Sequence, residues 1–223
     1  MMLMQARHRL RAASSGKPFM HTADTSAPPR LPIGTANQVV FDVVAWGPAR
    51  ADVDLSVACM FEHEMPGTTM SGGLLGLDQA LGGQLSRLRT TGAFRAQEME
   101  TLLITLPPAA VAARAVLVIG LGQPEQLNAD TLRRATRVAM REAIRHGALS
   151  MAFAPSVLDA GHTDNAALNM PAVMLDGMLS ALQAETDLAA LGLAPPPSLR
   201  HCTFDVGAPR IASAGAAFAA AFP

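Results

Sequence analysis

Ala115–Ile119 (AVLVI), followed at once by Gly120-Leu121-Gly122 and then by a long amphipathic segment, is the stretch that decides the fold class. A continuous apolar run of this length suits a strand covered on both faces, as in a sheet held between two helix layers. The next segment opens with Asn128 or Asp130, either of which can cap a helix, and closes at Gly147, which can end one in the left-handed conformation. Leu132, Ala135, Ala139 and Ala143 recur at three- and four-residue steps and form its inner face. Ser150–Ala154 (SMAFA) then reads as a short strand. Strand, helix and strand in this order make the repeating unit of an α/β fold.

The same alternation extends in both directions. Upstream, Gln38–Trp46 (QVVFDVVAW), Asp54–Phe61 (DLSVACMF) and Thr101–Leu106 (TLLITL) are apolar runs of strand length. Between the last two, Leu74, Leu77, Leu81, Leu85 and Leu88 form a helical stripe over Leu74–Leu88. Gly82-Gly83 falls inside it: each glycine weakens a helix by about 1 kcal/mol relative to alanine, or admits a close neighbour. Downstream, Pro171–Leu191 reads as a helix, Leu199–Val206 (LRHCTFDV) as a strand after Pro195-Pro196-Pro197, and Ile211–Phe222 as a final helix. The expectation is a three-layer α/β/α sandwich around a mixed, mostly parallel sheet, spanning residues 37–223.

Residues 1–36 read differently. They hold five basic residues against Asp24 alone, with Ser14-Ser15-Gly16, Pro28-Pro29 and Pro32. The expectation is a disordered tail; an organelle transit segment is the alternative, as is initiation at Met20, which leaves the status of residues 1–19 open. No apolar signal core follows the basic start, so a cytoplasmic location is expected. Cys59 and Cys202 each sit in an apolar run and read as buried free thiols of a reducing compartment. Beyond residue 36, twelve basic residues face seventeen acidic ones, a balance that argues against general nucleic-acid binding. Lys17 is the only lysine, which excludes Schiff-base and phosphate-loop lysine chemistry in the folded part.

Several groups bear on function. Gly120 and Gly122, after a strand and before a helix, can offer backbone N–H groups to a phosphate. Gly72 and Gly73 form a second flexible segment. Arg133, Arg137, Arg141 and Arg145 recur every four residues, either as a solvated helix face or as a docking surface for an anionic partner. Glu62-His63-Glu64 is read as a polar strand end and His162 as part of a solvated loop, so no metal site is expected. His201 and Cys202, adjacent on a strand, face opposite ways and form no dyad. No G-x-S-x-G elbow is present. No catalytic residue and no cofactor is assigned.

In order along the chain stand L-D-x-A-L-G-G-x-L (Leu77 to Leu85), G-x-F (Gly92 to Phe94), E-T-L-L-I (Glu100 to Ile104), V-L-V-I-G-L-G (Val116 to Gly122) and A-D-T-L-R-R-A (Ala129 to Ala135). Together they resemble the N-terminal domain of the leucine (cytosol) aminopeptidases, most strongly over residues 74–155. The resemblance implies a fold similar to macro domains. It also implies a non-catalytic interaction, assembly or regulatory module, since the N-T-D-A-E-G-R stretch that supplies the family's metal ligands has no counterpart here. The family's usual G-K-x-G-E is Ala96-Gln97-Glu98-Met99-Glu100 in this chain, and its tyrosine-containing segment after residue 171 is missing. Two further readings follow from the resemblance. One is a macro-domain-like binder or hydrolase of ADP-ribose or a related nucleotide. The other is an accessory subunit of a separately encoded aminopeptidase.

Overall fold

Runs of β-branched and apolar residues alternate with amphipathic segments along the chain, and each takes the conformation its period demands. The computed structural model describes residues 30–223 apart from Pro66, Thr68 and residues 157–168. The elements in order are β1 (Leu31–Ala36), β2 (Val39–Val44), β3 (Leu55–Met60), α1 (Gly72–Ala80), α2 (Gln84–Thr91), β4 (Thr101–Ile104), β5 (Ala115–Gly120), α3 (Ala129–Arg145), β6 (Ser150–Ala154), α4 (Met170–Ala190), β7 (His201–Asp205) and α5 (Ile211–Ala221). The seven strands form one sheet in the order β1-β2-β7-β6-β3-β5-β4. Strands β2, β7, β6, β3 and β5 run parallel, while β1 and β4 close the two edges antiparallel. The mixed, mostly parallel sheet expected from the sequence is therefore the sheet observed.

Period-two alternation sends the two faces of each strand into different layers. On β3, Leu55, Val57 and Cys59 join Leu132, Ala135, Met178 and Phe218 of α3, α4 and α5. Ala58 and Met60 of the same strand join Leu74, Leu77 and Leu85 of α1 and α2. Burying leucines of this kind contributes about 1.5–3 kcal/mol each. Among the described residues the second layer draws its sheet contacts from β3, β4, β5 and β6, with none from β2 or β7. That uneven cover matters for the site.

Helix ends follow local chemistry. The Asn128 side chain accepts from the N–H groups of Asp130 and Thr131 and caps α3, and Gly147 lies past its end at φ +66°. Asn128, not Asp130, is thus the cap. The stripe over Leu74–Leu88 is two helices rather than one. Gly82 and Gly83 have φ of +67° and +76°, and a Cβ at either would meet nothing within 4 Å. They break the helix by conformation and admit no close neighbour. Asp78 secures the break by accepting from Ser86 N and Oγ at 2.9 and 2.5 Å.

The expected tail ends earlier than residue 36. Leu31–Ala36 is a strand, joined to β2 through Asn37 and Gln38, both at positive φ as in a two-residue hairpin turn. Pro32 points away from this assignment in the sequence, yet an edge strand tolerates a residue that cannot donate, and the register shifts beside it. Helix α5 covers the strand: a Cβ at Gly34 would lie 2.4 Å from the Phe222 ring. Residues 1–29, expected to be disordered, lie outside the described residues.

The tightest helix contact is between α3 and α4. A Cβ at Gly177 would lie 2.0 Å from Thr136 Oγ1 and 2.5 Å from the Arg133 carbonyl oxygen. Gly76, inside α1, would meet nothing within 4 Å. Gly177→Ala is therefore expected to destabilise by about 1–3 kcal/mol through overpacking. Gly76→Ala should stabilise by about 0.5–1 kcal/mol through helix propensity. Urea unfolding of the two variants should move the midpoint in opposite directions.

Candidate functional site

In a parallel sheet, ligands dock beyond the carboxyl ends of the strands. That edge is closed on one side and open on the other. At the β3–β5 side the N–H groups of Gly120, Leu121 and Gly122 donate to Glu100, Met60 and Ala96 carbonyls at 2.8, 2.8 and 3.0 Å. A Cβ at Gly120 would lie 2.1 Å from the Gln97 carbonyl oxygen. This loop is glycine-rich because the segment before β4 rests on it, and these three donors are engaged by the protein itself.

Neighbouring polar groups serve the same closure. Glu100 accepts from the N–H groups of Arg95 and Gln97, and Glu64 accepts from Phe61 N at 2.7 Å. Arg89 donates to the carbonyls of Glu62 and Phe94 at 2.6 and 3.3 Å. Burial pushes its guanidinium down from the ordinary arginine value, against the opposing field of Glu100, Glu62 and Glu64. Glu62-His63-Glu64 is thus not the end of a strand. Strand β3 stops at Met60, and Glu64 turns back into the interior. Among the described residues no group of three or more histidines, cysteines or carboxylates could hold a metal ion.

The basic stripe is largely neutralised. Arg133 pairs with Asp176 at 2.5 Å and Arg141 with Glu185 at 3.2 Å, both across to α4, while Arg145 pairs with Glu142 on its own helix. Among the described residues only Arg137 of the four has no carboxylate partner in reach. Arg133 and Arg141 therefore stitch α3 to α4, while Arg145 makes its pair within α3. Burial pushes the Cys59 and Cys202 thiols far up, which makes both inert, and the two are free and buried. His162 lies outside the described residues.

The open part of the edge lies beyond β2, β6 and β7. A cleft of about 200 Å³ there is lined by Trp46, Gly47, Gly73, Ser156, Asp205 and Arg210, among others. Gly73 of the second glycine segment thus reaches the cleft, where its missing side chain leaves room for Pro48: a Cβ would lie 2.9 Å from the proline ring. Asp205 is the last residue of β7 and is 5% exposed. Its Oδ1 accepts from the N–H groups of Trp46 and Gly47 at 2.9 and 3.2 Å. Its Oδ2 is buried with no partner among the described residues, and so is the indole Nε1 of Trp46. Burial pushes the Asp205 carboxyl up to about 6, against the lowering effect of the Gly47 and Trp46 N–H groups. Trp46 also lines a second hollow of about 420 Å³ with Arg30, Arg50 and Asp52. There the Arg30 guanidinium stacks 4.6 Å from the ring centroid and pairs with Asp42 at 2.8 Å.

Residues 63–173 match the model of the cytosol aminopeptidase family, N-terminal domain. Over those residues the chain carries the N-terminal domain of that family. Solved structures agree on the fold. A mutant of tomato leucine aminopeptidase matches with a TM-score of 0.59 at 15% identity, over 80% of this chain and 35% of that one. This chain therefore spans about a third of the tomato enzyme. The Trypanosoma brucei macrodomain in complex with ADP-ribose matches with a TM-score of 0.59 at 18% identity, over 83% of this chain and 72% of that one. The Oceanobacillus iheyensis macrodomain with ADP gives 0.57 at 13%, over 88% and 96%. No curated protein sequence matches the chain. No helix among the described residues is long and apolar enough to cross a membrane.

Trp46, Asp205 and Arg210 lie outside the matched segment of this aminopeptidase-type domain and were missed by the sequence reading. A signal was present. Phe41-Asp42-Val43 and Phe204-Asp205-Val206 each place an aspartate in an otherwise apolar strand, and a carboxylate in such a run is rarely buried without a purpose. Because the folded-state pKa of Asp205 lies above its unfolded value, its stabilising effect is present in acid and is lost as pH rises from about 4 through about 6. Asp205→Asn is expected to raise Tm at pH 8, by up to about 3 kcal/mol of stability, and to leave it near the parent value at pH 4. Thermal melts of both proteins across that range check the sign.

Proposed function

We propose that this chain is a non-catalytic, ligand-responsive module of the aminopeptidase N-terminal type, and that the cleft beyond β2, β6 and β7 is its binding site. The supporting observation is the unpartnered Asp205 Oδ2, buried in a cleft at the edge where parallel sheets take ligands. A buried acceptor without a donor costs about 1–3 kcal/mol, more when charged, and a ligand that supplies the donor recovers it. Catalysis has no support from side-chain chemistry here. The thiols are inert, and the carboxylates at the closed edge are engaged with backbone N–H groups.

A nucleotide of the ADP-ribose type is the ligand suggested by the macrodomain likeness, which rests on fold alone. Its phosphates would not use Gly120 and Gly122, whose donors are engaged. An interaction or assembly role, including service as an accessory subunit to a peptidase, attaches to a different surface. Leu191 and Leu193, after α4, are each 72% exposed.

Trp46 is the only tryptophan and the protein has no tyrosine, so its emission reports on the cleft and on the neighbouring hollow with Arg30 and Arg50. Titration with ADP-ribose and ADP should give a saturable emission change that Asp205→Asn weakens. A change that Asp205→Asn leaves intact would move the site elsewhere. The purified chain is also expected to show no turnover of leucyl substrates with added manganese or zinc. Chelator-sensitive turnover would overturn the non-catalytic reading.

A further inference from the structure

Independently of the cleft, we infer that the outer edge of β4 is a self-association surface, on which a second copy of this chain pairs antiparallel through its own β4 about a two-fold axis at Leu103. The sheet ends in β1 on one side and β4 on the other, and the two edges are built differently. A bare edge offers its row of N–H and C=O groups to any other strand, and natural proteins blunt such edges with proline, bulges or charge. β1 has two of these devices, Pro32 and the register shift beside it. β4 lacks all three: it pairs with β5 without a shift, contains no proline, and no charged residue occurs from Thr101 through Ala113. The Glu100 carbonyl accepts from Gly120 N, so Leu102 and Ile104 turn their backbone groups to β5, and Thr101 and Leu103 turn theirs outward. Among the described residues those outward groups have no backbone partner.

The residues of the edge say what fits it. Thr101-Leu102-Leu103-Ile104-Thr105 reads the same, by residue class, in both directions about Leu103. Antiparallel pairing about that residue sets Leu103 against its own copy, Leu102 against Ile104 and Thr101 against Thr105. Each is a favourable cross-strand pair, apolar on apolar or threonine on threonine, and no like charges meet. An extended segment of another protein would need no such symmetry, whereas an isologous interface requires it. Exposure agrees. Leu102, Leu103 and Ile104 are half-buried and Thr101 and Thr105 exposed, while Val116 through Gly120 of the next strand are buried. Leu102 and Ile104 pack on the α1–α2 side and Leu103 on the other, so pairing covers the apolar margins of both layers at once. Because β1 is blunted, the pairing consumes the open edge and closes as a dimer instead of growing into a fibre. Thr105 lies one residue past the strand and Pro107-Pro108 stops it soon after, so the contact is short. A dissociation constant of about 10–100 µM suits so small an interface.

The test is analytical sedimentation of the full chain from about 1 µM to about 1 mM, a range that spans that constant. Monomer should give way to dimer and to nothing larger, and hydrogen exchange at the Thr101 and Leu103 N–H groups should slow as the dimer forms. Thr101 and Thr105 are exposed, so changing them spares the fold. Thr101→Lys combined with Thr105→Lys sets lysine against lysine twice across the axis and should weaken the dimer at least about ten-fold. Thr101→Lys combined with Thr105→Glu sets lysine against glutamate at the same two places and should recover most of that loss. A parent that stays monomeric throughout overturns the inference, whatever else the edge then binds. Growth beyond a dimer overturns it too. So does a dimer that the two combinations affect equally, which would put self-association on another surface, or one whose Thr101 and Leu103 N–H groups exchange at the monomer's rate.

Discussion

The backbone of Ala96 and Gln97 lies so close on Gly120 that no side chain fits between them, and much of the remaining architecture follows from this contact. It turns the N–H of Gly122 to the Ala96 carbonyl and the N–H of Met99 to the Gly120 carbonyl. The loop after β5 is thereby bonded to the protein, and the carboxyl edge of the sheet is sealed at the β3–β5 side. The half of the edge beyond β2, β6 and β7 is the one that holds a cleft. There α1 and α2 do not cover the sheet, and Asp205 ends its strand with one oxygen bonded and the other bare. A sealed half and an open half are consequences of one packing decision.

How much of this could be read from the sequence depends on the distance over which each feature is encoded. Strands β2, β3, β5, β6 and β7 and helices α3 to α5 are local: their period and caps lie within the segment itself, and they appeared within a residue or two of expectation. Strand β1 was not legible. Pro32 argues against a strand, and what holds Leu31–Ala36 in place is the hairpin to β2 and the Phe222 ring at the far end of the chain. The break at Gly82-Gly83 was visible as two glycines, but whether they serve conformation or close approach could be decided only from their surroundings. The close approach between helices, at Gly177, had no local mark.

The site was less legible than the fold for a related reason. Glycines after a strand suggest a phosphate loop, but the donors of Gly120 and Gly122 are claimed by residues twenty or more positions upstream. Arginines every four residues suggest a basic face, yet Asp176 and Glu185, forty-odd positions downstream, meet Arg133 and Arg141. In both cases the local pattern is right about geometry and silent about partners. Asp205 is the converse. Its place in an apolar strand is unusual in itself, and only the sheet order brings it beside Trp46, more than 150 residues away.

One departure from the family pattern now has a physical meaning. Ala96 and Met99 stand where the usual G-K-x-G-E has glycines, and both keep positive φ, at +59° and +63°. A side chain in that conformation costs roughly 1–2 kcal/mol. Closure over Gly120 requires this backbone path, and the chain holds to it without the glycines that would relieve it. The lysine position of the same motif is Gln97, exposed and uncharged, so the path persists where the cation does not. The segment that follows this strained course makes its contacts with the loop through backbone packing and hydrogen bonds. That places the sealed half of the edge in the service of the fold and leaves the Asp205 cleft as the half with an unmet chemical demand.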